Sequence, residues 1–159
     1  MNIQIHTYCP QAASYYVEAR KEYEKRLSRY CKLKFISYKN VKQAKKGLLK
    51  LQENCSDTGQ NQFFLVLSGA KESTLSSPDF AHCIENAGIH GISTLIFLVG
   101  FSENENWEDF STSFFSDIDF ELTTLYFSSF SLSPALTGLV LEEQIYRAYR
   151  IINKEPYHK

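Results

Sequence analysis

Apolar and polar positions alternate at Ile3 and Ile5, a spacing of two that predicts a short strand over residues 2–7, ended by Pro10. The period then changes. Ala12, Tyr16, Ala19, Tyr23, Leu27 and Tyr30 recur every three or four positions, which predicts a helix over 11–30 with Lys21, Glu22, Glu24, Lys25 and Arg26 on its wet side. Residues 32–38 alternate again, with Leu33, Phe35 and Ser37 against Lys32, Lys34 and Ile36. A basic helix follows over 40–54, with Asn40 placed to cap it, and Thr58-Gly59 marks a turn. Residues 62–67 and 92–99 are continuous apolar runs closed by Gly69 and Gly100, the pattern of strands buried on both faces of a parallel sheet. Between them, Ser77 and Pro78 form a cap and first-turn pair that opens a helix to about Asn86. A helical stretch is expected around Trp107 to Phe115, and 121–127 reads as a third buried strand. Ser133-Pro134 repeats the cap signal before a last helix that runs to about Asn153.

Strands alternate with helices throughout, so the pattern predicts one α/β domain over 1–159 with a mainly parallel sheet. No linker is long enough to divide the chain. The last helix carries more apolar surface than one stripe. Leu141, Ile145, Ala148 and Ile152 line one face, and Leu136, Val140, Tyr146 and Tyr149 widen it. One face can pack on the sheet; the other needs a second partner, which in so small a protein suggests another subunit.

Composition adds exclusions. No apolar run approaches the roughly 20 residues of a membrane span, and the N-terminal MNIQIHTYC lacks the pattern of a secretory signal. Cys9, Cys31, Cys55 and Cys83 show no CxxC spacing, so no metal site is expected and reduced thiols in a cytoplasmic protein are. His6, His82, His90 and His158 are too scattered for a metal cluster, and His82 and His90 read as surface residues. No phosphate loop, nucleophile elbow or zinc-protease motif is present. Residues 1–60 hold twelve Lys/Arg against five Asp/Glu, while 61–159 hold five against thirteen, so a net charge of −1 conceals a basic half suited to phosphates or simply to solvent.

Candidate chemistry gathers at the C-terminus, EEQIYRAYRIINKEPYHK over 142–159. Arg147 and Arg150 suit phosphate or carboxylate. Tyr157 can stack on an unpaired base. His158 can hydrogen-bond a base or move a proton near neutral pH. The alternative is a frayed terminus, the default for last residues.

These residues carry a resemblance. Glu143-Gln144-Ile145-Tyr146-Arg147-Ala148-Tyr149 and Tyr157-His158-Lys159 closely resemble the C-terminal motif of the RlmH-type family, the large-subunit rRNA pseudouridine N3-methyltransferases of the SPOUT class. Tyr23 through Leu27, Leu65 through Gly69 with Leu75-Ser76-Ser77, and Phe97 through Gly100 resemble the family's first helix, its central strand and loop, and the strand entering its knot. The resemblance implies a C-terminal trefoil knot and a SAM-dependent methyltransferase acting on N3 of a pseudouridine in 23S rRNA, with the ribosome as substrate. It implies S-adenosylmethionine (SAM) held largely by backbone at Leu65, Gly100, Phe127, Ser128, Ser129, Phe130, Ser131 and Leu132. It also implies a homodimer in which the tail of one subunit lies near the cofactor of the other, with Arg147, Tyr157 and His158 handling the nucleotide and Glu143 a weaker candidate.

The chain departs from the family pattern in places. Phe101 stands where a second glycine is usual, 103–106 reads ENEN, Ser133-Pro134 replaces a Pro-His pair, and Gly138 replaces an arginine. Those departures leave a non-catalytic RNA- or ribosome-binding relative with the same knotted dimer as the alternative.

Overall fold

The computed structural model describes residues 1–9, 13–55, 60–69, 74–101 and 122–156. Their elements are β1 (Asn2–Tyr8), α1 (Ser14–Leu27), β2 (Lys32–Tyr38), α2 (Val41–Cys55), β3 (Asn61–Ser68), α3 (Ser77–Ile89), β4 (Thr94–Val99), β5 (Leu122–Ser128) and α4 (Pro134–Ile152). Pro10, Ala12, the Thr58-Gly59 turn, the expected helix at 107–115 and the tail residues 157–159 lie outside the described residues.

All four strand pairings are parallel, in the order β2-β1-β4-β3-β5. Every residue of β4 is buried, as its unbroken apolar run requires of a central strand covered on both sides. Phe64 of β3 and Phe97 of β4 stack with ring centroids 5.1 Å apart. Odd-numbered positions of β1 and β4, with Phe64 and Val66, face a large core closed by α1, α3 and α4. The alternate positions face a smaller core in which Ala44, Leu48 and Leu51 of α2 meet Phe63, Ile96 and Leu98. The sheet is therefore the middle of three layers. β5, expected as a buried strand, is an edge strand with Thr123 and Thr124 exposed. Leu125 and Phe127 join the larger core and Leu122 packs against the smaller one, so its apolar positions do not reveal that the strand lies at the edge.

Two caps act as expected. Asn40 Oδ1 accepts from the Gln43 amide at 2.9 Å, and Ser133 Oγ accepts from the Leu136 amide at 3.4 Å with Pro134 behind it. The third is displaced by one residue: Ser76, not Ser77, caps α3 by accepting from Asp79 N. Ser77 is the first residue of the helix, and its hydroxyl donates to Gln144 of α4 at 2.7 Å.

The wide apolar surface of α4 finds its partners inside the chain. No residue from Pro134 to Ile152 is exposed. Leu141 and Ile145 enter the core, while Tyr146 meets Tyr23 and Tyr30 edge-on at 6.3 and 6.0 Å and Tyr30 stacks on Tyr149. The second face assigned above to another subunit is thus largely taken by α1, which sequence periodicity cannot place.

One charge is buried with this packing. Glu142, with a fully buried side chain, accepts from Arg20 Nε of α1 at 2.9 Å. Arg20 also reaches Glu24 at 3.3 Å and lies 3.1 Å from the centroid of the Phe35 ring. Burial raises the Glu142 carboxyl to about 7, against the pull of Arg20. A carboxyl whose folded pKa exceeds its unfolded one binds more proton when folded, so its contribution to stability declines as pH rises between the two values. In urea unfolding, Glu142→Gln should gain on the parent as pH climbs from about 4.3 to about 7, and the difference should then level off. A difference that does not change with pH contradicts this account of the buried pair.

Candidate active site

Because every strand is parallel, all their C-terminal ends meet at one edge, where open α/β sheets bind ligands. Three connections converge there. Gly69 follows β3 with φ +78° and Gly100 follows β4 with φ +76°, both in the left-handed region that favours glycine. The third connection, residues 129–133, crosses in front of them. Gly69 N donates to Ser128 O at 2.9 Å, and Ser68 Oγ accepts from Leu132 N at 2.9 Å while donating to Leu132 O at 3.3 Å. Ser128 Oγ accepts from Phe130 N at 3.0 Å. A Cβ on Gly69 would run into the Ser131 hydroxyl, and one on Gly100 would lie 2.6 Å from Pro134 Cβ and 2.7 Å from Tyr8 O. The start of α4 is therefore seated on the ends of β1 and β4.

This edge suits a ligand held by backbone. Ser129 and Ser131 are exposed and make no hydrogen bond to another described residue, so their amides and carbonyls remain available to a ligand. Phe130 is 77% exposed, an apolar surface left at the same place. Phe101 does not intrude on it. Its side chain is fully buried in the smaller core, with ring centroids 6.3 Å from Tyr8 and 6.4 Å from Tyr38. Gly138 is buried over Phe35, where a Cβ would meet the ring at an ordinary 3.5 Å.

The predicted cofactor residues are thus mostly together. Gly100 and residues 128–132 share the edge. Phe127 packs its ring against Phe80 and lines a cleft of about 160 Å³ with Leu75, Ser77, Val140 and Gln144 between β5, α3 and α4. Leu65 is apart: it pairs with Leu98 and Thr124 three residues before the end of β3, and its side chain packs in the smaller core. Ser68 and Gly69 were not among the predicted residues. The signal available was the serine-glycine step that ends a buried strand.

The nucleotide-handling candidates lie elsewhere. Arg147 donates to Glu143 Oε1 from Nε at 3.0 Å and from its terminal nitrogen at 2.8 Å, and Glu143 also accepts from Gln144. Thirteen residues separate Arg147 from Pro134, a rise of about 20 Å. Beyond it the helix ends in a Schellman turn, with Lys154 N bonded to Ile151 O and Glu155 N to Arg150 O. Lys154 takes the left-handed conformation (φ 55°) usually given to glycine. Glu155 holds this turn, accepting from Tyr30 at 2.7 Å and pairing with Arg150 at 2.8 Å, while Arg150 also donates to Pro156 O. The direction in which the chain leaves α4 toward 157–159 is therefore fixed as far as Pro156. Among the described residues no group of three or more Cys, His, Asp or Glu could hold a metal, and no helix is long and apolar enough to cross a membrane.

A parallel α/β sheet whose last helix is seated by bare glycines on its C-terminal edge, with a basic-aromatic tail beyond, places the chain in a class. Residues 1–158 match the family described as predicted SPOUT methyltransferase, and the chain belongs to that family. It is similar over its whole length, and theirs, to proteins named ribosomal RNA large subunit methyltransferase H. Those of Clostridium tetani and Clostridium botulinum are 35% and 32% identical to it. A protein of Clostridium perfringens named ribosomal RNA large subunit methyltransferase H 1 is 32% identical, again over the full length of both chains.

The glycine seat yields a direct test. Gly91 also has positive φ (+77°) but has nothing within 4 Å of an added Cβ. Gly91→Ala should cost about 1–2 kcal/mol, the left-handed penalty alone. Gly100→Ala should cost clearly more in the same unfolding measurement, because Pro134 and Tyr8 must also move. Equal losses would show that α4 is not seated there.

Proposed function

We propose that this protein transfers the methyl group of SAM to N3 of a pseudouridine in 23S rRNA, as a cytoplasmic homodimer acting on the ribosome. Family membership and full-length similarity to large-subunit rRNA methyltransferases support the reaction class and the substrate. Gly100 and residues 127–132 hold SAM through backbone groups, and Leu65 supports them from within the sheet. The trefoil knot expected from the resemblance belongs to the same reading, since the segment crossing the edge before α4 is the part of the chain a knot would thread.

The observation that carries the reading is one of reach. α4 has nineteen residues, so its ends lie about 27 Å apart. The cofactor edge is at Pro134, whereas the chain leaving the other end is pinned at Arg150, about 24 Å along the same axis. Three residues beyond Pro156 span at most about 11 Å. A separation of this size along α4 favours a site completed by the tail of a second copy over one closed within a single chain.

In that assembled site SAM supplies a methyl group already activated by its sulfonium, so the work of the protein is placement. Tyr157 stacks on the target base. His158 bonds its edge and takes the proton lost from N3. Arg147, held by Glu143, steadies a neighbouring phosphate. N3 must come within about 3–3.5 Å of the methyl carbon. Base stacking is worth roughly 1–3 kcal/mol, and loss of orientation adds to that.

Deleting residues 157–159 should leave the unfolding curve and the SAM affinity measured by calorimetry nearly unchanged. Methyl transfer to unmodified ribosomes should fall at least about 100-fold, or some 2.7 kcal/mol in activation free energy. Wild-type transfer by the truncated protein would show that the tail has no part in the site.

A further inference from the structure

The two amphipathic helices of the N-terminal half treat their charges in opposite ways. On α1, Arg20 pairs with Glu24 and Glu142, and Arg26 with Glu22. Six lysines on α2, on the strand before it and between them are not mated in this way. From Lys25 to Gln52 the chain carries ten Lys/Arg and no Asp or Glu. Lys32, Lys34, Lys39, Lys42, Lys46 and Lys50 are all exposed, and none forms an ion pair with a described residue.

Their placement is ordered. Ala44, Leu48 and Leu51 turn α2 toward the sheet, which leaves Lys42, Lys46 and Lys50, spaced by four, as one stripe along its outer side. Successive lysines rise by about 6 Å, so the stripe runs about 12 Å. Lys32 and Lys34 lie on the same face of the sheet as α2, since Ile36 and Tyr38 at the matching positions of β2 pack against that helix. Those two have a second use, guarding an edge strand against pairing. The stripe on α2 has none. Like charges four apart repel and weaken a helix, and α2 has no acid in its first turn and no base in its last, the reverse of what its dipole favours. The lysines therefore cost the isolated fold stability and serve something outside it.

We infer that the outer side of α2, from Lys39 to Lys50, is a docking surface for an RNA phosphate backbone. This inference rests on the reading of the chain as an rRNA methyltransferase and adds where that RNA lies. Lys39 follows β2 and α2 starts at Val41, at the same edge of the sheet as Gly69, Gly100 and residues 128–132. β2 and β3 are three strand positions apart, about 14 Å. RNA lying along α2 thus reaches the candidate cofactor edge without crossing the molecule. Lysines act here as point charges, which fits positioning of a backbone rather than reading of a base.

The test uses the full-length protein, with a short RNA duplex and, separately, large ribosomal subunits as probes. Affinity is measured across a salt series for a triple variant Lys42→Gln, Lys46→Gln, Lys50→Gln and for the matching triple change to Glu. A control carries Lys21→Glu and Lys25→Glu, two exposed lysines of α1 away from the stripe. The Gln triple should bind RNA at least about tenfold more weakly, with the slope of log affinity against log salt shallower by about 0.9 per lost contact. It should unfold no more easily than the parent, since the repulsion within the stripe is gone. The Glu triple should bind more weakly still, and the control should bind as the parent does. SAM affinity should be unchanged throughout. Unchanged RNA affinity in both triples overturns the inference. So does a Gln triple that loses stability but not affinity, which would assign the stripe to an acidic partner within the chain. A protein that binds RNA through the stripe but methylates nothing would leave this inference standing and sink the functional reading instead.

Discussion

The structure turns on where α4 is held. Its first residue, Pro134, rests on Gly100 and the end of β1 so closely that no side chain fits between them. Along its length it is walled by the sheet, by α1 and by α3, with no exposed position. Its far end is tied by Tyr30, Arg150 and Glu155. A helix fixed at both ends is a rigid spacer of about 27 Å. It sets the distance between the backbone edge suited to a cofactor and the residues suited to a nucleotide. Everything proposed about the dimer follows from that length.

The same packing explains what could be read from the chain and what could not. Phe63 to Leu67 of β3 and Leu95 to Val99 of β4 are unbroken apolar runs, which suit burial on both faces of a parallel sheet, so their place was legible. So were the Asn40 and Ser133 caps, because a cap depends on residues within one turn. Partners distant in sequence were not. The apolar breadth of α4 is visible, but nothing local says that Tyr146 and Tyr149 meet Tyr23 and Tyr30 rather than a second copy. β5 resembles a buried strand because its apolar residues pack on both faces, Leu125 and Phe127 on one and Leu122 on the other, although it lies at the edge of the sheet. Ser76 and Ser77 are equally plausible caps by local pattern, and the bond from Ser77 to Gln144 of α4 is a distant contact that the pattern cannot show. Glu142 gives no signal as a buried charge. Its partner Arg20 is 122 positions away.

The residues predicted to hold the cofactor are only partly gathered. Gly100 and residues 128–132 do share one place, while Leu65 sits within the strand. The departures from the family pattern are absorbed rather than exposed. Phe101 turns into the smaller core and leaves the edge clear, and Gly138 lies against Phe35. A site built from backbone tolerates such changes so long as the path of the chain is kept.

A site shared between protomers is tested most directly with a mixed dimer. One subunit lacks residues 157–159; the other carries Ser131→Trp, which blocks the exposed backbone of the cofactor edge but keeps its tail. Each variant alone should be inactive in methyl transfer to unmodified ribosomes. When the two are mixed and allowed to exchange, half the dimers are hybrid and each hybrid has one complete site. About a quarter of wild-type activity should therefore return. If tail and cofactor edge belong to the same chain, the mixture will stay as inactive as its parts.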